Sequence, residues 1–203
     1  MIRWVTTSLI ILHFTNGFSQ ENGWKLEKEA AGIAVYTREV ETTKVREFRA
    51  SGTINSPAHE VVKILKDVPN YPLWIEDVHS SRILANTKNK LSFYYELHLP
   101  WPVTNRDIAM NMHITTDSDN ATLLKLTSNN NIMEEESGFI RMTDVYGYWK
   151  VSPLNELNCK VTYQFLADPG GNLPSWVINL FIVDGPFKTL QNLDTYAVEK
   201  NEL

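Results

Sequence analysis

The middle of the chain alternates. Leu91, Phe93, Tyr95, Leu97 and Leu99 take turns with Ser92, Tyr94, Glu96 and His98, and Ile108, Met110, Met112 and Ile114 with Ala109, Asn111 and His113. Val161, Tyr163, Phe165 and Ala167 do the same with Thr162 and Gln164. A period of two sends successive side chains to opposite faces of a strand, so one face meets a core and the other meets water. Polar clusters at Asp117-Ser118-Asp119-Asn120 and Asn129-Asn130-Asn131 separate the runs as turns. Residues 80–167 are therefore predicted to form an antiparallel sheet. Upstream, residues 33–40 and 45–54 read as two more strands about a turn at Glu41-Thr42-Thr43, with Phe48, Ala50, Gly52 and Ile54 on one face. Residues 24–31 predict one or two helical turns.

Two segments switch to helical spacing. Ser56-Pro57 with Glu60 predicts a helix start, Ser56 as N-cap and Pro57 as the first helical residue. Val61, Ile64, Leu65 and Val68 then recur on one side until Pro69. Tyr71 and Trp74 follow in a loop-like stretch and need cover. After Asp168-Pro169-Gly170-Gly171-Asn172, apolar residues fall at Leu173, Trp176, Val177, Leu180, Phe181, Phe187, Leu190 and Leu193, the stripe of one long amphipathic helix. Pro186 lacks an N–H, so a kink or break is expected near residues 182–185. Strands, a helix, many strands and a final helix make an α+β domain. A strongly curved antiparallel sheet of this kind can have its concave face closed by that last helix.

Composition narrows the partners. Of 203 residues 43% are hydrophobic and 21% charged, which excludes wholesale disorder. The net charge of -5, with no basic run, excludes nucleic acid. Arg3, an apolar stretch from Trp4 to Phe14 and a polar tail ending at Ser19 predict a signal peptide over residues 1–19, cleaved before Gln20. That leaves a single domain over residues 20–203, exported to a periplasm or out of the cell. Cys159 is the sole cysteine and can form no internal disulfide. His59, His79, His98 and His113 make no i, i+4 pair, and Asp117-Ser118-Asp119 fails as a calcium loop at Ala121. No nucleotide or nucleophile motif is present, so no metal, cofactor or catalytic residue is expected.

Four stretches in order carry a family resemblance. They are Trp24 with Gly32-Ile33-Ala34-Val35-Tyr36-Thr37-Arg38, Glu47 to Gly52 leading to Ser56-Pro57, Pro100-Trp101-Pro102-Val103-Thr104-Asn105-Arg106-Asp107, and Gly171 to Asn179. The chain resembles the START (steroidogenic acute regulatory protein-related lipid transfer) domain, of the helix-grip fold. The resemblance implies an internal cavity between sheet and final helix that holds a sterol, phospholipid or other apolar molecule. Several animal members place an Arg in the cavity shortly after the Arg-Asp pair. Here that position reads Met112, which favours a more uniformly apolar ligand.

The candidate ligand-binding residues are Tyr95, Trp101, Arg106, Met110, Met112, Tyr163, Phe165, Trp176, Asn179, Leu180 and Phe181. Each has a structural alternative. The methionines suit an adaptable wall or a solid core. Trp101 between two prolines can fix a turn, Arg106-Asp107 can tie a loop to the mouth, and Asn179 can bond to backbone. The expected function is non-catalytic binding of a lipid- or sterol-like molecule by a monomer with transient membrane contact. Two alternatives remain beside it. One is a helix-grip cyclase or hydrolase, although the alternation brings only Tyr95 into the cavity as a titratable group, with Glu96, His98 and His113 on the other face. The other is an interaction module whose cavity is filled by side chains.

Overall fold

The computed structural model describes residues 23–41, 43, 45–171 and 173–202; the signal peptide expected at 1–19 lies outside them. Strands occupy β1 Lys25–Ala30, β2 Ile33–Arg38, β3 Glu47–Ile54, β4 Val78–Asn86, β5 Lys90–Leu97, β6 Asn105–Thr116, β7 Thr122–Ser128, β8 Phe139–Arg141, β9 Val145–Pro153 and β10 Cys159–Ala167. They pair in the order β1-β2-β3-β10-β9-β7-β6-β5-β4, antiparallel throughout, while the three-residue β8 runs parallel to β6. The sheet curves without closing. Its two edges, β1 and β4, are both irregular: the register shifts between Leu26 and Lys28 on one, and at Val78/Ser80 and Ile83/Ala85 on the other.

Residues 25–30 are a strand, not the helical turns that the sequence suggested. Lys25, Glu27, Lys28 and Glu29 are all charged and no residue of the strand is fully buried, so no apolar period marks it. Pairing with β2 decides instead. Ala30 faces Ile33 across a two-residue turn in which Ala31 (φ 50°) and Gly32 (φ 73°) are both left-handed, the mirror-image geometry that suits tight hairpins.

Helix α1 covers Ala58–Lys66 and turns Val61, Ile64 and Leu65 inward. Its cap is also one residue later than expected. The Pro57 carbonyl accepts from the Glu60 and Val61 amides at 3.0 and 3.2 Å. Ser56 is buried and its hydroxyl accepts from Asn201 Nδ2 at 2.9 Å, tying the start of α1 to the end of the chain. A 3₁₀ segment, Val68–Leu73, then brings Tyr71 and, just after it, Trp74 onto the concave face. Tyr71 donates to the Leu65 carbonyl at 2.6 Å and packs edge-on against Trp74 and Phe93; Trp74 packs edge-on against Trp149. These rings fill one end of the concavity.

The final helix comes in three parts: α2 Ser175–Asn179, a π-turn Leu180–Asp184 and α3 Gly185–Asn201. Pro186 has no N–H to give, and the chain responds by widening instead of breaking, with the Gly185 amide donating to the Leu180 carbonyl five residues back. A Cβ on Gly185 would lie 2.5 Å from that carbonyl oxygen. Gly185→Ala is therefore expected to destabilise by about 1–3 kcal/mol through overpacking, although alanine is the better helix former by about 1 kcal/mol. Thermal melts decide the sign; a stabilised variant would show that the widened turn is not required.

Candidate functional site

Beyond the aromatic plug, the concave face is hollow. A cavity of ≈ 80 Å³ lies between the sheet and the π-turn. From the sheet it is lined by Phe48 of β3, Tyr95 and Leu97 of β5, Ile108 of β6, and Tyr163 and Phe165 of β10. Leu180, Phe181, Ile182 and Pro186 roof it, Met142 and Val145 add to one side, and Ile75, Glu76, Asp77 and Thr189 also border it. Period two explains the sheet's contribution, since Tyr95 and Leu97, or Tyr163 and Phe165, lie on one face.

Five expected residues meet here: Tyr95, Tyr163, Phe165, Leu180 and Phe181. Met110 and Met112 share the parity of Ile108 but lie further along β6, fully buried. They pair with Phe93 and Leu91, at the end filled by Tyr71 and Trp74. They belong to solid core, because helix α1 and the 3₁₀ segment occupy the space in front of that part of the sheet.

The remaining expected residues lie outside the cavity. Trp101 is 91% exposed on the β5–β6 connection and Trp176 is 49% exposed on α2. Asn179 is exposed as well. The apolar phase of α2 runs through the buried Val177 and, within the π-turn, Ile182, which leaves Trp176 on the outer side. Trp176 borders a separate shallow groove with Pro102, Val103, Leu173 and Pro174.

Arg106 is buried and fully engaged with backbone. Its guanidinium donates to the carbonyls of Thr104, Pro169 (2.8 Å) and Gly170 (2.9 Å), fastening the β5–β6 connection to the approach of α2. Burial pulls its pKa down. Its neighbour Asp107 points the other way and meets Arg141 in a two-pronged pair, Nε–Oδ1 3.0 Å and Nη2–Oδ2 2.8 Å, with side chains only 1% and 2% exposed. Tyr94 donates to the same carboxylate at 3.2 Å. Arg141 also holds the Met133 and Glu134 carbonyls, and the Met142 amide donates to the Asp107 carbonyl at 2.9 Å. The Asp107–Arg141 pair thus supports the cavity wall from behind, while Arg106, on the face of Ile108, braces the mouth.

The alternation overlooked the acidic pair. Glu76 and Asp77 sit between the 3₁₀ segment and β4, where no periodicity operates; their position directly after the buried Trp74 was the available signal. Glu76 pairs with Lys188 at 2.7 Å, and its amide donates to Thr189 Oγ1 at 3.1 Å. Asp77 is left-handed (φ 63°). Burial, then the Glu76 charge, raise its pKa above 3.8, against the opposing pull of Lys188. An acid raised on folding makes the fold less stable as pH climbs from 3.8 through its folded value, with the full cost above it. Asp77→Asn, which also tolerates a positive φ, is expected to melt higher than the parent at pH 7 and to match it at pH 3. An equal or lower melting temperature at pH 7 would refute the burial argument.

Cys159 is buried on β10, and burial pushes its thiol up to about 12, with Asp194 adding to the effect. Such a thiol is unreactive at neutral pH.

Known proteins share this arrangement. The START domain family model matches residues 12–199. An uncharacterised protein of Pseudomonas aeruginosa is 32% identical over 179 residues, spanning 87% of this chain and 88% of that protein. Rat phosphatidylcholine transfer protein is 24% identical over 162 residues, spanning 77% and 75% respectively. Among solved structures, a STAR-related lipid transfer protein fragment from Xanthomonas axonopodis superposes with a TM-score of 0.80 at 35% identity, covering 87% of this chain and 99% of that one.

Proposed function

Because the chain belongs to the START domain family, we propose that it binds an apolar, lipid-like molecule beneath its final helix and performs no covalent chemistry on it. The observation that carries this reading is the cavity walled by Tyr163 and Phe165 and roofed by Leu180, Phe181 and Ile182. Removing ~400 Å² of apolar ligand surface from water contributes up to roughly 10 kcal/mol at ~25 cal/mol/Å², and association and ordering offset a large part of it. Micromolar to nanomolar binding follows without a charge pair.

At ≈ 80 Å³ the cavity is smaller than the ~300–1,000 Å³ of ordinary ligand pockets, so uptake requires the roof to move. Helix α3 is pinned by Glu76–Lys188 and a hydrogen bond from the Asn55 amide to Asp194 (2.7 Å), and the end of the π-turn by Lys28–Asp184 (2.9 Å). Among the described residues, no side-chain hydrogen bond ties residues 176–183 to the sheet. The roof segment yields first, swinging about the pinned end of the π-turn at Asp184. The exposed Trp101 and Trp176 flank the moving end and rest on a lipid surface during exchange, their rings suited to the boundary between apolar chains and water.

The test is to purify the protein, extract it with organic solvent, identify what is released by mass spectrometry, and follow its passage between donor and acceptor vesicles. A stoichiometric apolar molecule returned unchanged is expected. An empty protein that takes up nothing from vesicles, or one that alters the bound molecule, would overturn the reading.

A further inference from the structure

Two phenols inside the cavity have nothing to bond with. The Tyr95 and Tyr163 side chains line it, and no hydrogen bond among the described residues reaches either hydroxyl. Their oxygens are not sealed in the packing either, unlike Trp74 Nε1 and Tyr196 Oη, which are closed off without a partner. The hydroxyls therefore open onto the hollow. Tyr71, a third tyrosine nearby, differs in spending its hydroxyl on the Leu65 carbonyl.

Both rings are held in place. Tyr163 stacks on Trp149 with centroids 3.8 Å apart and takes Phe48 and Phe165 edge-on at 4.9 and 5.0 Å; Tyr95 stacks on Phe93 at 6.1 Å. Burial pushes both phenols far above the ordinary tyrosine range, with Tyr95 and Tyr71 adding to the effect at Tyr163, so both stay neutral. A neutral phenol donates one hydrogen bond and accepts others.

The charged side chains that line the cavity have one sign, and Lys188 outside the lining is already paired with Glu76. The ionisable lining beyond the tyrosines is Glu76 and Asp77. The arginines beside the wall in sequence are committed elsewhere: Arg49 lies over the Trp24 and Tyr36 rings, Arg106 bonds to backbone carbonyls and Arg141 to Asp107. A phosphate or carboxylate brought inside would meet no cation on the lining and would face Asp77, with Lys188 already held by Glu76.

We propose that Tyr95 and Tyr163 form a polar subsite for a single neutral oxygen, hydroxyl or carbonyl, on an otherwise apolar molecule, and that the carboxylate of Asp77 disfavours anionic head groups. The ligand class is a neutral alcohol or ketone on a sterol-like or long-chain skeleton. This assignment rests on the lipid-binding reading above and narrows it.

The experiment uses matched pairs. Neutral phosphatidylcholine vesicles carry trace radiolabelled cholesterol or 5α-cholestane, and separately octadecanol or octadecane; protein is incubated with them, separated by gel filtration and counted. The alcohol of whichever skeleton binds is expected to exceed its hydrocarbon by about 10-fold, two hydrogen bonds' worth. In the Tyr95→Phe/Tyr163→Phe variant the ratio should fall toward one. Its melting temperature should not drop, because the missing hydroxyls had no protein partner to lose.

Equal uptake of alcohol and hydrocarbon by the parent protein, an undiminished ratio in the variant, or preferential extraction of the phosphatidylcholine itself would overturn the subsite while leaving a lipid-binding cavity standing. A variant that melts well below the parent would overturn it too, since the hydroxyls would then serve the fold. Uptake of no probe and no phospholipid would remove both readings together.

Discussion

An Arg141→Ala variant is expected to melt about 6–20 °C below the parent, because removing one member of a buried ion pair costs about 3–5 kcal/mol and each kcal/mol shifts a domain of this size by about 2–4 °C. The physical reason is the carboxylate left behind. Asp107 is 1% exposed at its side chain and would keep only the Tyr94 hydroxyl as a side-chain donor. The Met133 and Glu134 carbonyls would lose their shared donor as well, loosening the approach to β8 behind Met142. Replacing both partners by apolar residues, Asp107→Leu with Arg141→Met, should cost less than the single change, since no unpaired charge remains. Thermal melts of the three proteins decide it. If the double variant is the least stable, the pair stabilises by more than mutual compensation, and the argument fails.

The other large effect concerns exchange with lipid. Trp101→Ala combined with Trp176→Ala is expected to slow transfer of a fluorescent sterol between vesicles by roughly 30-fold, corresponding to about 2 kcal/mol of lost surface burial at roughly 1.4 kcal/mol per tenfold. The amount bound at equilibrium should change far less, because neither ring borders the cavity. Stopped-flow transfer and equilibrium titration separate the two quantities. A parallel fall in both would place these rings on the ligand instead of on the membrane.

Much of the fold is legible in the sequence because it is written in side-chain parity. Tyr95 and Leu97, or Tyr163 and Phe165, betray their common face wherever one side of the sheet is dry. Residues 25–30 are silent for the opposite reason. They form an edge strand of mostly charged residues with none fully buried, and only pairing with β2 makes them a strand. The candidate site is less legible, because parity states which face a residue takes and not how far along the strand the hollow extends. Met110, Met112 and Ile108 are equivalent by alternation, yet only Ile108 reaches the cavity, because Tyr71 and Trp74 arrive from a distant segment to fill the other end. The π-turn defeats a uniform helical reading in the same way. One extra residue in the turn changes the phase, so a stripe drawn straight through Trp176 and Phe187 does not describe a single face. Glu76 and Asp77 lie where the chain has no period, so no alternation points to the charges of the cavity.

The broken registers of β1 and β4 acquire a meaning once the roof is allowed to move. A protein that uncovers an oily interior at intervals runs the hazard of sticking to its own copies, and a straight bare strand would give such an encounter a rail to zip along. Here both rails are kinked, and one is studded with lysine and glutamate. Neighbours that meet during opening find no long unbroken backbone edge to pair along.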